Sequence, residues 1–331
     1  MFRLILARLG QHLFVLWAAV TLNFALPRLM PGNPLALLAG EDVASLTTIQ
    51  REALMATVGL DRPWPEQYGR YLERLLVGDF GYSYQRNKPV IEILLSRLPW
   101  TLLLAGTGQI LATLVGLGLG ALAAQQAGRA GDMTLLGLAV FFESLPAFWV
   151  GMLLIAVLAV QVPLFPTFGA VSPWEREVGL ALALDVAHHL ALPLLTLVMV
   201  SFSGTFLVAR SALLTVLGEP FVVAAHAKGL SKRQVLFRHV FRNALLPVVT
   251  VFALNLAHAF GGATVIETVF SYPGIGRLIY EAVLNRDYPV LQGAFFMITV
   301  IIIVANIAVD ALYPWLDPRV RQAAMQAEGA A

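Results

Sequence analysis

Apolar residues gather along this chain in runs too long for the core helices of a small soluble domain. Crossing the roughly 30 Å hydrocarbon layer takes about 20 mostly apolar residues in helical form. Six segments meet or approach that length: Leu13–Met30, Pro99–Ala124, Met133–Val160, Leu190–Leu217, Ala244–Ile266 and Val290–Tyr313. No ten-residue blocks alternate strictly, which excludes a membrane barrel. Lipid offers the backbone no water, and helices remain the way to satisfy it. The pattern predicts an all-α polytopic membrane protein with six transmembrane helices.

Shorter periodic stretches lie between the spans. Pro65–Val77 reads as an amphipathic helix, with Tyr68, Tyr71, Leu72, Leu75 and Leu76 on one stripe and Gly78 placed to cap it. A weaker helix is expected over Ile49–Val58, introduced by Thr47 and Gln50 at capping-box spacing. A third, Val90–Leu98, leads into the second span. These helices either cover the outer ends of the bundle or offer a docking surface to a soluble partner. Gly218 to Pro247 predicts a short helix from Pro220, a stop at Gly229, and a second helix from Ser231, with Gln234 at capping-box spacing. Val235, Leu236, His239 and Val240 give that second helix an apolar face.

Charge sets the orientation. Arg3, Arg8, Arg129, Lys228, Lys232, Arg233, Arg238, Arg242, Arg319 and Arg321 fall on one side, and the short loops opposite hold Arg176, Arg277 and Arg286. By the positive-inside rule both termini are cytoplasmic, N-in/C-in. The loop 31–98 carries seven basic and eight acidic residues and is too long to vote. Arg3, Arg8 and His12 before an apolar run also begin a secretory signal peptide, but no small-x-small site follows and a retained helix is expected. The division is then a stub and first span (1–30), an extracytoplasmic helical loop (31–98), a five-helix core (99–313) with a cytoplasmic loop at 218–244, and a cytoplasmic tail (314–331).

Composition narrows the chemistry. Of 331 residues 58% are hydrophobic and 13% charged, half the usual share for a soluble domain. There are no cysteines, which excludes thiol catalysis, disulfides and cysteine-based metal sites. A net charge of +2 gives no field for nucleic acid. Within the spans, Gly116, Gly118 and Gly120 suit close helix packing. Glu143 lies near the midplane of the third span and His258 at similar depth in the fifth, with Asn255 one turn earlier. These three line a polar pathway or form internally bonded packing pairs. Arg210 and Asp310 read as snorkelling or interface charges, and His188 and His189 as interfacial residues. No metal site is expected.

The loop carries the sharpest resemblance. Phe221-Val-Val-Ala-Ala-His-Ala-Lys-Gly-Leu-Ser-Lys, then His239-Val-Phe-Arg-Asn-Ala-Leu-Leu-Pro247, resembles the EAA loop of binding-protein-dependent ABC importer permeases of the dipeptide/oligopeptide/nickel branch. Ala224, Ala225 and Gly229 match its pattern, and Val223 stands where many families place Glu. Other matches follow in order: Pro31-Gly-Asn-Pro34, Gly78-Asp-Phe-Gly-Tyr-Ser83, Ser144-Leu-Pro-Ala-Phe-Trp-Val-Gly151, Glu267-Thr-Val-Phe-Ser-Tyr-Pro-Gly-Ile-Gly-Arg277, Arg286-Asp-Tyr-Pro289 and Asp317-Pro-Arg319.

The resemblance implies a type I ABC importer permease fold and a loop, with Phe221, Val222, Ala224, Ala225, Lys228 and Gly229, that couples to an ATPase. It implies as partners two cytoplasmic ATPase subunits, a second homologous permease, an extracytoplasmic solute-binding protein and membrane lipid. No cofactor is expected in this chain; ATP-Mg belongs on the ATPases. The residues agree, since no G-x-x-x-x-G-K-[ST] loop occurs. The alternative is an ATP-independent secondary transporter or channel, which would show paired intramembrane charges and inverted repeats. A membrane hydrolase is a third reading, but neither H-E-x-x-H nor G-x-S-x-G is present.

Overall fold

The computed structural model describes residues 2–29, 47, 49–50, 61–83, 85–173 and 178–316. Along the chain run α1 (Phe2–Leu29), α2 (Trp64–Leu76), an antiparallel hairpin of β1 (Tyr82–Ser83) and β2 (Lys88–Pro89), α3 (Val90–Gln125), α4 (Ala130–Ser144), α5 (Ala147–Leu154), α6 (Leu180–Leu217), α7 (Pro220–Ala227), α8 (Lys232–Val235), α9 (Phe241–Val269), α10 (Ile275–Leu284) and α11 (Tyr288–Leu316). A π-helical stretch extends α5 to Gln161, and another, Leu236–Val240, joins α8 to α9. The chain forms two compact units, 1–99 with 274–304 and 100–273 with 305–331.

Within the described residues, each expected span other than the third falls on a single helix. Among the described residues, Val90–Gln125, Leu180–Leu217 and Tyr288–Ala308 are each long and apolar enough to cross a membrane. The third span differs from expectation. It is not one rod from Met133 to Val160 but two helices, Ala130–Ser144 and Ala147–Gln161, meeting at 99°. The cause is local: Pro146 has no N–H to continue the ladder, and Leu145 before it takes extended angles, φ −84° and ψ 131°. Each half is about 22 Å long by helical rise, too short to cross alone. Pro99 acts differently, because α3 runs through it unbroken and absorbs the separate helix expected over Val90–Leu98. At a membrane boundary, water can take up the carbonyl that a proline leaves unpaired.

In the first unit, Val90, Leu94, Ile275, Leu278, Ala282 and Val290 form a buried core. The hairpin is pinned to it by polar bonds. Ser83 Oγ donates to Asp287 Oδ2 at 2.5 Å, and Arg86 pairs with Glu281 at 2.8 Å. The amphipathic α10, a helix between two spans that the sequence pattern does not predict, supplies Ile275, Leu278 and Ala282 to this core. Helix α2 lies where it was expected. Its Tyr68 and Tyr71 pack on Phe24 of α1, and Gly78 at φ +76° closes it with a bond from the Asp79 N–H to the Arg74 carbonyl. Leu76, placed on the apolar stripe, is exposed, and Gln67 is buried instead. Thr47 and Gln50 make their capping contacts, while the helix expected after them lies outside the described residues.

In the second unit, Leu104, Leu192, Ile266, Phe270 and Tyr272 pack together. Helices α3 and α6 touch backbone to backbone at Gly116 and Gly120. A Cβ on Gly116 would sit 2.6 Å from the Phe202 carbonyl oxygen, and one on Gly120 would sit 2.9 Å from that of Phe206. Gly118 faces open space and takes no part in this seam. Arg210 corrects a second expectation. It does not snorkel but grips Asp132 with a fork of two bonds, Nε to Oδ1 at 2.6 Å and Nη2 to Oδ2 at 2.7 Å. Asp132 has no exposed surface, and its Oδ2 also accepts the Gly128 N–H. The Asp310 side chain lies outside the described residues.

Candidate functional site

The loop between α6 and α9 folds as a short helix, a left-handed turn and a second helix. Helix α7 starts at Pro220, whose missing N–H costs nothing at a helix's first turn. It ends at Gly229, φ +83°, with the Leu230 N–H on the Ala225 carbonyl and the Lys228 N–H on that of Ala224. That six-to-one closure needs a residue free to adopt positive φ. Ser231 and Gln234 then cap α8 reciprocally: the Ser231 N–H donates to Gln234 Oε1 at 2.9 Å, and the Gln234 N–H to Ser231 Oγ at 3.4 Å.

Packing gives α7 two unlike faces. Val222 and Ala225 are buried against Leu213 of α6, Ala121 and Ala124 of α3, and Val235, Val240 and Ala244 from the start of the next helical run. Phe221, Val223, Ala224, Ala227, Lys228 and Gly229 are exposed, Val223 by 68%. The coupling residues proposed from sequence thus divide. Val222 and Ala225 lock the helix onto its own chain, while Phe221, Ala224 and Lys228 project away from it. The reading missed Leu213, Ala121 and Ala124 as the seat of the loop. Their helix period placed them in spans, but nothing local said what they face.

The candidate pathway residues are not brought together. Glu143 sits in the last turn of α4, just before the 99° break, and is exposed on the chain. Asn255 is half-buried in the middle of α9, and the His258 side chain lies outside the described residues. Among the described residues, no hydrogen bond or ion pair joins Glu143 to Asn255. His188 and His189 sit near the start of α6. His188 Nε2 lies 2.8 Å from the Leu164 carbonyl of the preceding loop, and His189 Nδ1 lies 3.1 Å from Asp185 one turn earlier in the same helix.

Residues 116–322 match the model for the binding-protein-dependent transport system inner membrane component, and residues 1–105 match that family's N-terminal membrane segment. The chain belongs to this family. Similar relatives include the dipeptide transport system permease protein DppB of Escherichia coli (strain K12), 36% identical over 97% of this chain and 99% of the relative. The oligopeptide transport system permease protein AppB of Bacillus subtilis (strain 168) is 34% identical over 96% and 98%. Inward-facing structures of the MetNI methionine ABC transporter share the fold at TM-score 0.55 and 16% identity, over 69% of this chain and 97% of theirs. The protein is therefore a multi-pass permease of the cytoplasmic membrane with a type I importer fold. It is the permease component of an ABC transport system and is not itself catalytic.

Proposed function

We propose that this permease forms half of the passage through which an ATP-driven importer moves short peptides. Relatives named as dipeptide and oligopeptide permeases, matched over nearly the whole chain, support the solute class. One observation carries the coupling role. Helix α7 is clamped to α3 and α6 by Val222 and Ala225 while Phe221 and Val223 are left bare. A rigid helix with an uncovered apolar edge on the cytoplasmic side needs a groove, and a separate ATPase subunit supplies it. ATP-Mg is held there, and closure of two such ATPases pushes α7 and, through its seat, α3 and α6. A second homologous permease completes the passage, and an extracytoplasmic binding protein delivers the peptide.

Glu143 belongs in the same proposal. A carboxylate exposed on an apolar helix faces water or a partner chain, since lipid would exact a large penalty. At the break after α4 it borders the passage, with Asn255 and His258 deeper along it.

Native mass spectrometry of the complex, tagged on this chain and purified gently from its own membranes, tests the assembly. Two ATPase chains and one different permease are expected. Phe221→Asp with Val223→Asp should strip the ATPases and leave the permease pair intact. A complex that keeps its ATPases through that double change refutes the assignment of α7. A homo-oligomer that never contains an ATPase would favour a secondary transporter.

A further inference from the structure

The first unit contains a cavity of about 170 Å³ that the transport reading does not use. Arg28, Arg70 and Arg74 line it, against a single acid, Asp79. Arg28 lies in the last turn of α1. Its Nε donates to Gln67 Oε1 at 2.9 Å, and its Nη1 donates to the Phe24 carbonyl at 2.8 Å. No carboxylate pairs with it among the described residues. The other two arginines are loosely held, Arg70 at 3.9 Å from Glu66 and Arg74 at 4.0 Å from Asp79. The Tyr71 hydroxyl, also in the lining, is buried and has no hydrogen-bond partner. Burial pushes that hydroxyl up to about 12, the Arg28 charge opposing, so it stays a neutral donor. Three guanidinium groups and an unused O–H around one space describe a receptor for an anion with several acceptor oxygens.

The setting selects among anions. The cavity lies between the end of a membrane span and the amphipathic helix α2 packed along it. Thr21 Oγ1 meets Tyr68 Oη at 2.8 Å, a full two turns before the span ends. That contact fastens α2 along the second half of α1, and Arg28 in the last turn of α1 brings the cavity to the end of the span. The ends of α2 leave Trp64 (54%), Leu76 (88%) and Val77 (81%) bare, as an interfacial helix does. We infer that the cavity is a binding site for the phosphodiester headgroup of an anionic phospholipid. Three arginines against one aspartate accept the phosphate and disfavour a headgroup that also carries an ammonium. The Tyr71 hydroxyl donates to a phosphate or glycerol oxygen, while Gln67, bonded to Arg28 and to the Arg62 carbonyl, holds the Arg28 guanidinium in place. A lipid seated there ties α2 to the boundary of the bilayer, whichever solute the permease carries and whichever way α1 points.

Native mass spectrometry of the intact complex in mild detergent, titrated with phosphatidylglycerol or phosphatidylcholine, tests this. Phosphatidylglycerol should bind about tenfold more tightly than phosphatidylcholine. Arg70→Gln with Arg74→Gln should weaken the first lipid about tenfold and leave the second unchanged. Tyr71→Phe, which removes one oxygen, should weaken it about threefold and decides the matter if the double variant fails to assemble. Equal binding of the two lipids, or retention of phosphatidylglycerol through both changes, overturns the site. Displacement of the lipid by inorganic phosphate at millimolar concentration overturns the lipid and leaves free phosphate as the ligand.

Discussion

Substituting alanine at two glycines in the same stretch of α3 should move stability in opposite directions. At Gly116 the new Cβ would lie 2.6 Å from the Phe202 carbonyl oxygen, 2.9 Å from the Phe206 nitrogen and 2.9 Å from the Thr205 Cβ. Two of these neighbours are backbone of α6 and cannot swing aside. The 2.6 Å contact falls about 0.8 Å short of ordinary van der Waals distance, so the helices must part along the seam. Overpacking of this kind costs about 1–3 kcal/mol. At Gly118 nothing lies within 4 Å of the new atom. There alanine restricts the unfolded chain and favours helix, a gain of roughly 0.5–1 kcal/mol in a soluble helix. Thermal unfolding of the purified complex, followed by loss of the monodisperse species on heating, reads both. Gly116→Ala should melt lower than the parent protein and Gly118→Ala level with it or higher. Equal shifts at the two positions would refute the α3–α6 seam.

Three further outcomes follow from the same structure. Gly229→Val should cost about 1–2 kcal/mol from its φ of +83° alone, since nothing crowds the site, and Gly229→Asn should cost less; peptide uptake should fall further for Val than for Asn, and equal uptake in the two contradicts the turn. Arg210→Ala leaves the Asp132 carboxylate buried without its fork and should sharply lower the amount of permease in the membrane; Arg210→Lys, with charge but no fork, should fall between, as immunoblotting of membranes would show. Burial pushes Glu281 up, but the Arg86 hydrogen bond and the charges of Arg277, Arg86 and Arg97 outweigh it and hold the carboxyl below its usual value. Stability from this group is therefore complete above the ordinary glutamate value and is lost as pH falls through the lowered one. Melting curves from pH 7 down to about 3.5 should show an acid loss that is smaller in Glu281→Gln, and identical acid limbs would remove Glu281 from the account.

What the sequence made legible follows how locally each feature is encoded. The spans, α2 with its Gly78 cap and the two helices of the loop were readable because period, caps and glycine stops act within a few residues. Gly116 and Gly120 were readable as packing glycines for the same reason. Gly118 was misread with them because spacing cannot say which side of a helix meets a neighbour. Features set by partners far along the chain were not legible. Asp132 and Arg210 stand 78 positions apart, so Arg210 alone read as a charge at a membrane boundary. Ser83 and Asp287 are 204 apart, though each fell inside a motif that the resemblance had picked out. Helix α10 escaped because ten residues between two spans look like a connection until Val90 and Leu94 appear beside it.

The third span joins these two cases. Its apolar run over Met133–Val160 reads as one rod despite Pro146, and that reading places Glu143 near its middle. A proline inside a helix has two outcomes, and this chain shows both: Pro99 and Pro193 sit within continuous helices, whereas Pro146 begins a new one. The difference lies in the residue before it. Leu145 takes the extended angles that a following proline favours, and Pro146 then heads a helix, where its missing N–H is no loss. The break turns α5 away, so Glu143 is the last charge before a corner and not a charge in mid-span. A corner opens backbone groups on both sides, which a membrane tolerates only where protein or a water-filled passage receives them. Glu143 and the unpaired ends of α4 and α5 therefore stand or fall as one feature. If Glu143→Gln lowers uptake, substituting alanine at Pro146, which favours a continuous helix, should lower it as well. Loss of uptake in the first with full uptake in the second would separate the carboxylate from the corner that positions it.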